Sequence, residues 1–167
     1  GCTGRHMTYE TTLEAKRQQV QDCFRRIGHI DIDVPPVLGM ADPSHYRNKT
    51  ALPVGGTVEE PVAGFFAPRS HDIIPIAQCP NAMPPADEIC RRVLGWMKRF
   101  HVEPYVEETY TGLVRHIVVR VNRKGETMAV LVINGSEIPH EGELVASLKA
   151  AGAVSVILNE NRERTNV

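Results

Sequence analysis

The sequence has no run of 18 consecutive apolar residues and no excess of charge of one sign. Without such a run there is no candidate transmembrane helix. Nineteen basic and 20 acidic residues give a net charge of −1, which excludes a histone-like protein whose bulk charge collects nucleic acid. No basic segment followed by an apolar one opens the chain, so no secretion signal is recognised. We therefore expect a cytoplasmic protein that does not bind a membrane.

Cysteine is scarce, and its four positions form no dense disulfide framework, so the thiols are read as reduced or as ligands. Cys23 and Cys90 fall on predicted helices beside apolar positions, which is typical of small buried hydrophobes. Cys2 and Cys79 fall in irregular segments, where cluster ligands often lie, although incidental thiols have the same setting. Cys2 and His6 would make half of a zinc site, but no second pair follows at ligand spacing.

Recognisable catalytic and nucleotide-binding motifs are absent as well. The chain contains no G-x-G-x-x-G and no G-x-x-x-x-G-K-[ST], which cradle nucleotide phosphates. It also contains no G-x-S-x-G and no H-E-x-x-H. His45, His71 and His116 are scattered near predicted strands and are interpreted one by one as structural or solvated. We assign no catalytic residue.

The 167 residues, of which 42% are hydrophobic, are enough for one well-packed domain. A helix is predicted from Thr12 to Ile27, with a capping box at Thr11 and Glu14 and a stop at Gly28. The Pro-rich stretch that follows is predicted to be a connector. Six strands are predicted, at Arg47–Val54, Pro61–Ala67, Ile73–Ala77, Leu113–Val121, Thr127–Ile133 and Ala153–Leu158. A second helix is predicted to begin at Pro84 and a third to span Glu141–Ala151.

This order predicts an α+β fold, an antiparallel or mixed sheet with helices packed on one face. Pro61 and Pro75 cannot donate to a ladder, so their strands are expected at an edge or to be irregular. The strongest β pattern flanks Asn122–Gly125, which is predicted to be a short hairpin loop.

Basic residues are clustered although the net charge is near zero. One group lies on the predicted helix between Ile89 and Val102, a stretch without an acid, and another lies on the late hairpin. Such patches can neutralise phosphates, and a neighbouring tyrosine can stack on an unpaired base; a solvated face is the alternative. The candidate RNA-binding residues are Tyr46, Arg47, Lys49, Arg115, Arg120, Arg123 and Lys124.

The order of several segments resembles the iron–sulfur RNA (uracil-5-)-methyltransferases of the 23S ribosomal RNA type. Each match is weak alone, but five in sequence are specific. They are Gly1-Cys2 with the following helix, Tyr46-Arg47-Asn48-Lys49, Gly64-Phe65-Phe66 through Ser70-His71 to Cys79, Arg115–Arg120, and Asn159 to Val167.

The resemblance implies that this chain is the central domain of a longer enzyme, a piece cut from between an oligonucleotide-binding domain and a methyltransferase domain. That enzyme would use S-adenosylmethionine to make 5-methyluridine in ribosomal RNA, through a cysteine beyond Val167 that attacks a flipped uridine. Cys2 and Cys79 would be two ligands of a 4Fe–4S cluster whose other two ligands lie upstream. We expect no complete cluster and no S-adenosylmethionine binding in this chain.

Within the resemblance, residues 1–28 would be the loop and helix beside the cluster, 29–45 a connector and 46–167 the α+β core. A monomer without a protein partner is expected. Two alternatives stay open. One is a fragment of a transfer-RNA uridine methyltransferase, and the other is a free-standing RNA-binding or interaction module.

Overall fold

The structure, a computed structural model, describes Gly4 and residues 6–164. The chain divides into two compact units, Gly1–Pro43 and Ser44–Val167. The first unit contains helix α1 (Tyr9–Asp22), which continues into a π-helical turn at Cys23–Ile27. The helical stretch ends at Gly28, as predicted.

Helix α1 begins at Tyr9, three residues before the predicted start at Thr12. The Thr8 hydroxyl caps it by accepting a hydrogen bond from the Thr11 N–H at 3.2 Å, so the capping box at Thr11 is wrong. No residue of α1 is buried. The apolar positions near its end stay open, with Phe24 38% and Ile27 77% exposed.

The segment after α1 is held along the helix by polar side chains of the same unit. Arg17 donates to the Val34 carbonyl at 2.6 Å and pairs with Asp33 at 2.9 Å. The Tyr9 hydroxyl accepts from the Met40 N–H at 2.7 Å. Hydrogen bonds from side chains therefore fix a stretch in which prolines remove backbone donors.

The second unit is built on one six-stranded sheet in the order β3-β2-β1-β4-β5-β6. All neighbours are antiparallel except β5 and β6, which are parallel. The mixed sheet confirms the predicted α+β class. The strands are β1 Lys49–Gly56, β2 Pro61–Phe66, β3 Ile73–Pro75, β4 Val114–Val121, β5 Thr127–Ile133 and β6 Ala153–Glu160.

Helices α2 (Pro84–Phe100) and α3 (Glu141–Ala150) contact each other and the sheet. The helical period of α2 buries Ile89, Val93 and Met97 completely, as the sequence pattern predicts. They form the core with the inward residues of the strands, among them Ile117 and Leu131. Of the helices that the structure describes, none is long and apolar enough to cross a membrane.

Strand β1 changes partner at a proline. Its first half, Lys49–Pro53, pairs with β4, whereas Val54–Gly56 pair with β2 on the other side. Pro53 has no N–H, so it is tolerated at this change of partner although β1 lies inside the sheet. Pro75 ends the edge strand β3, as predicted, but Pro61 opens β2, which lies between β3 and β1, so the edge position expected for its strand is wrong. A proline is tolerated there because it is the first residue of the strand.

Candidate functional site

Five predicted RNA-binding side chains meet at one end of the sheet, and we call them the basic cluster. Lys49 and Arg120 are paired across β1 and β4 and point to the same face. Arg47 precedes β1, and Arg123 and Lys124 lie in the hairpin turn that follows β4. All are exposed, and the adjacent Tyr46 is 53% exposed. The basic cluster is Arg47, Lys49, Arg120, Arg123 and Lys124.

The hairpin turn after β4 is fixed by the side chain of Asn122. Its Oδ1 accepts from the N–H groups of Lys124 at 2.9 Å and Glu126 at 3.0 Å. Gly125 supplies the positive φ of 82° that the turn requires. The Val121 N–H donates to the Asn48 carbonyl at 2.8 Å, so the turn is tied to the beginning of β1. These bonds hold Arg123 beside the other cations.

The basic cluster is not neutralised by the described part of the chain, where none of its five side chains forms an ion pair. Like charges directly opposite each other on a sheet are destabilising, and Lys49 faces Arg120. A polyanion bound at this end of the sheet would relieve the repulsion between Lys49 and Arg120. The arrangement therefore suits a phosphate backbone.

Arg115 lies apart from the basic cluster and is only 4% exposed. Its Nη1 donates to the carbonyls of Asn161 at 2.8 Å and Glu163 at 2.7 Å. Its guanidinium lies over the Tyr105 ring, 4.4 Å from the centroid. Arg115, a predicted RNA contact, is thus buried within the second unit, where it connects β4 to the residues that follow β6.

The basic residues of α2 are partly neutralised by an acid that lies one turn away. Glu88 pairs with both Arg91 and Arg92, and hydrogen bonds from Arg92 and then Arg91 lower the pKa of its carboxyl. The stretch from Ile89 to Val102 lacks an acid, but helical spacing brings Glu88 to the same face. This part of α2 therefore matches the alternative of a solvated face.

Cys79 lies in the loop before α2, which pairs with the residues leading into β1. The Arg47 N–H donates to the Asn81 carbonyl at 2.8 Å, and the Met83 N–H donates back to the Arg47 carbonyl at 3.1 Å. Cys79 is 8% exposed and lines a cavity of about 240 Å³ with Arg47, Lys49 and Phe65. The predicted ligand and two predicted RNA contacts are thus neighbours.

The remaining thiols do not extend this arrangement. Cys90 is buried in the core, where burial and then Asp87 raise its pKa to about 12, and Cys23 is exposed on the π-helical turn. Within Gly4 and residues 6–164, no group of three or more His, Cys, Asp or Glu side chains could hold a metal ion. Cys2 lies outside the described residues. The ligand roles of Cys2 and Cys79 stay predictions.

Sequence reasoning missed a second cavity, at the opposite end of β4 from the basic cluster. It is lined by two histidines, His71 and His116, that were interpreted separately as structural or solvated. Their spacing of 45 residues carries no motif. His71 lies in the loop between β2 and β3, and the pairings of β2 with β1 and of β1 with β4 bring it to the cavity that His116 lines.

The chain is similar over its whole length to several curated proteins, although no family model matches it. It is 42% identical to an uncharacterized RNA methyltransferase of Clostridium tetani and 39% identical to one of Caldanaerobacter subterraneus. All of this chain is covered in both comparisons, but it spans only 37% and 38% of the lengths of those relatives.

A solved structure has the same fold. The crystal structure of Pyrococcus abyssi tRNA (uracil-54, C5)-methyltransferase in complex with S-adenosyl-L-homocysteine matches this chain with a TM-score of 0.75. The match covers 100% of this chain and 38% of that one, at 20% sequence identity. At that identity the likeness bears on the fold alone.

Proposed function

We propose that this chain is the RNA-contacting part of an S-adenosylmethionine-dependent RNA methyltransferase. The observation that carries the proposal is the basic cluster, five exposed cations at one end of a sheet without ion-pair partners in the described residues. Similarity over the full length to proteins named RNA methyltransferases supports it. Methyl transfer itself is assigned to parts of a longer protein, because the relatives are more than twice as long as this chain.

The finer proposal is 5-methyluridine formation in 23S ribosomal RNA. It rests on the segments that resemble the ribosomal type, above all Tyr46-Arg47-Asn48-Lys49 and the Ser70-His71 to Cys79 stretch. The Pyrococcus abyssi enzyme is named for transfer RNA, but a likeness of fold does not choose between substrates. Ribosomal RNA is therefore proposed as the partner, with transfer RNA as the alternative.

We also propose that Cys2 and Cys79 ligate a 4Fe–4S cluster together with cysteines outside this chain. The observation in favour is the placement of Cys79, which is buried in a loop beside a small cavity and outside the main hydrophobic cluster. When bound, such a cluster would add a fixed charge beside Arg47 and Lys49 and hold their loop in place.

Replacement of Arg120 by Thr should weaken RNA binding and lower its salt dependence. Each lost phosphate contact reduces the slope of log K against log salt by about 0.7 for a single strand. Because Thr favours strands and removes the repulsion with Lys49, thermal stability should be unchanged or slightly higher. The measurement is fluorescence anisotropy of a labelled oligouridine over a series of KCl concentrations.

The matched control for this experiment is Lys98→Ala, which removes one exposed positive charge from the last turn of α2, whereas Arg47 lies beside Ala82 at the other end of that helix. Its salt slope should equal that of the unchanged protein. Equal slopes for Arg120→Thr and Lys98→Ala, or no RNA binding by the unchanged chain, would contradict the proposed function.

A further inference from the structure

A cavity of about 380 Å³ opens where the β1–β2 turn, the β2–β3 loop and residues 105–108 meet. Its volume falls in the lower part of the range of small-molecule sites, about 300–1,000 Å³. It lies wholly within the second unit. The lining residues on which the argument depends are Phe66, His71, Tyr105, Glu107, Arg115 and His116.

Two flat stacked pairs line this cavity. The rings of Phe66 and His71 are stacked, with centroids 5.2 Å apart and an interplanar angle of 28°. The guanidinium of Arg115 lies over the ring of Tyr105, and its two carbonyl partners hold it there. Flat aromatic and guanidinium surfaces are the groups on which unpaired bases stack.

The polar side chains that line the cavity include more hydrogen-bond acceptors than cations. Three carboxylates line it, those of Asp72, Glu107 and Glu108, against the single cation Arg115. Glu107 contacts Nδ1 of His71 through one oxygen. A phosphate would be repelled by this set, whereas the exocyclic amino group of a base can donate to a carboxylate.

His116 adds a neutral ring. Burial, and then the neighbouring charge of Arg115, lower the pKa of His116, so the imidazole offers one donor and one acceptor nitrogen near neutral pH. Its Nδ1 has no hydrogen-bond partner in the part of the chain that the structure describes. An unpaired buried donor or acceptor costs stability until a ligand satisfies it.

The cavity and the basic cluster share one strand. His116 and Arg120 lie four residues apart on the same face of β4, with regular pairing between them. At about 3.3 Å per residue, their positions are roughly 13 Å apart. A short stretch of single-stranded RNA can therefore reach both, with its phosphates on the cations and one base at the other end of the strand.

We propose that this cavity receives one unpaired, amino-bearing nucleobase of the RNA, stacked on the flat pairs and donating its amino group to Glu107. This inference rests on the proposed function, since it requires that RNA binds the basic cluster. It adds base selection at a site separate from the phosphate contacts.

The test compares three labelled oligonucleotides that differ at one central position, in an otherwise all-uridine strand. The central residue is uridine, cytidine, which carries an amino group, or an abasic sugar. We expect the cytidine strand to bind about tenfold more tightly than the uridine strand and the abasic strand to bind most weakly. Glu107→Gln should abolish the preference for cytidine, and Phe66→Leu should reduce the loss caused by the abasic sugar.

Two variants keep the outcomes distinct. Glu137→Gln, an exposed carboxylate outside the cavity, should leave the preference unchanged. Arg120→Thr should weaken all three strands by the same factor. Equal binding of the three strands, or a cytidine preference that survives in Glu107→Gln, would overturn the nucleobase site while leaving the basic cluster intact. No binding of any strand would overturn the proposed function as well.

Discussion

Replacement of Arg115 by Ala is expected to lower the free energy of unfolding by about 3 kcal/mol, because a buried guanidinium is lost together with its partners. The carbonyls of Asn161 and Glu163 lose their donor, and the Tyr105 ring loses the cation above it. In a domain of this size, the melting temperature should fall by roughly 6–12 °C. Thermal unfolding followed by circular dichroism measures this.

Arg120→Ala is the matched control, since it removes the same side chain from an exposed position of the same strand. Its stability should change by less than about 0.5 kcal/mol. Arg115→Lys should fall between the two, because an ammonium cannot reproduce the planar fork over Tyr105. If Arg115→Ala melts together with Arg120→Ala, the structural role of Arg115 is wrong.

Replacement of Gly112 by Ala is expected to destabilise the protein by about 3 kcal/mol. Gly112 has a φ of 85°, and an added Cβ would lie 2.0 Å from the Pro104 carbonyl oxygen. Neither Pro104 nor Tyr105 can move away, because the Tyr105 N–H donates to the Val114 carbonyl at 2.9 Å. Urea denaturation with a shared m-value gives the difference in free energy.

The control for this glycine is Gly95→Ala on the exposed side of α2, where an added Cβ meets nothing within 4 Å. It should stabilise the protein by about 0.5–1 kcal/mol, since Ala favours a helix interior over Gly. Glu107 lies in the turn that the isolated bridge between Val106 and Thr111 closes, next to the same backbone contacts, so Gly112→Ala should also reduce the cytidine preference. Equal stability of the two variants would contradict the close approach.

Local patterns were sufficient for much of the fold. Helix α2 was predictable because it buries one periodic set of apolar side chains, and the β4–β5 hairpin because segments rich in β-branched residues flank a short loop. Helix α1 shows the limit of that reasoning. Its apolar residues have helical spacing, but no residue of α1 is buried. Periodicity predicts an apolar face of a helix, but it does not predict which element packs against that face.

The candidate site was predictable only in part. Lys49 and Arg120 are both exposed, but the pairing of β1 with β4 that brings them together was not predicted from the sequence. Arg115 was grouped with them by sequence, but Val114 faces Ile133 while His116 faces Val132, so Arg115 is the extra residue of a β-bulge. A β-bulge changes the direction of one side chain but leaves no sign in the alternation of apolar and polar residues along the strand. The inward position of Arg115 could therefore not be predicted.

The change of partner at Pro53 divides the sheet into two parts with different resistance to opening. Within the sheet, strands β2 and β3 join the rest through the short pairing of Val54–Gly56 with β2, whereas β4 is paired along both edges. Backbone amides of β2 and β3 should therefore exchange with deuterium well before those of β4 and β5. Phe66 and His71 belong to the part that opens first. A base can therefore enter the cavity when the β2–β3 side opens while the β4 side stays in place.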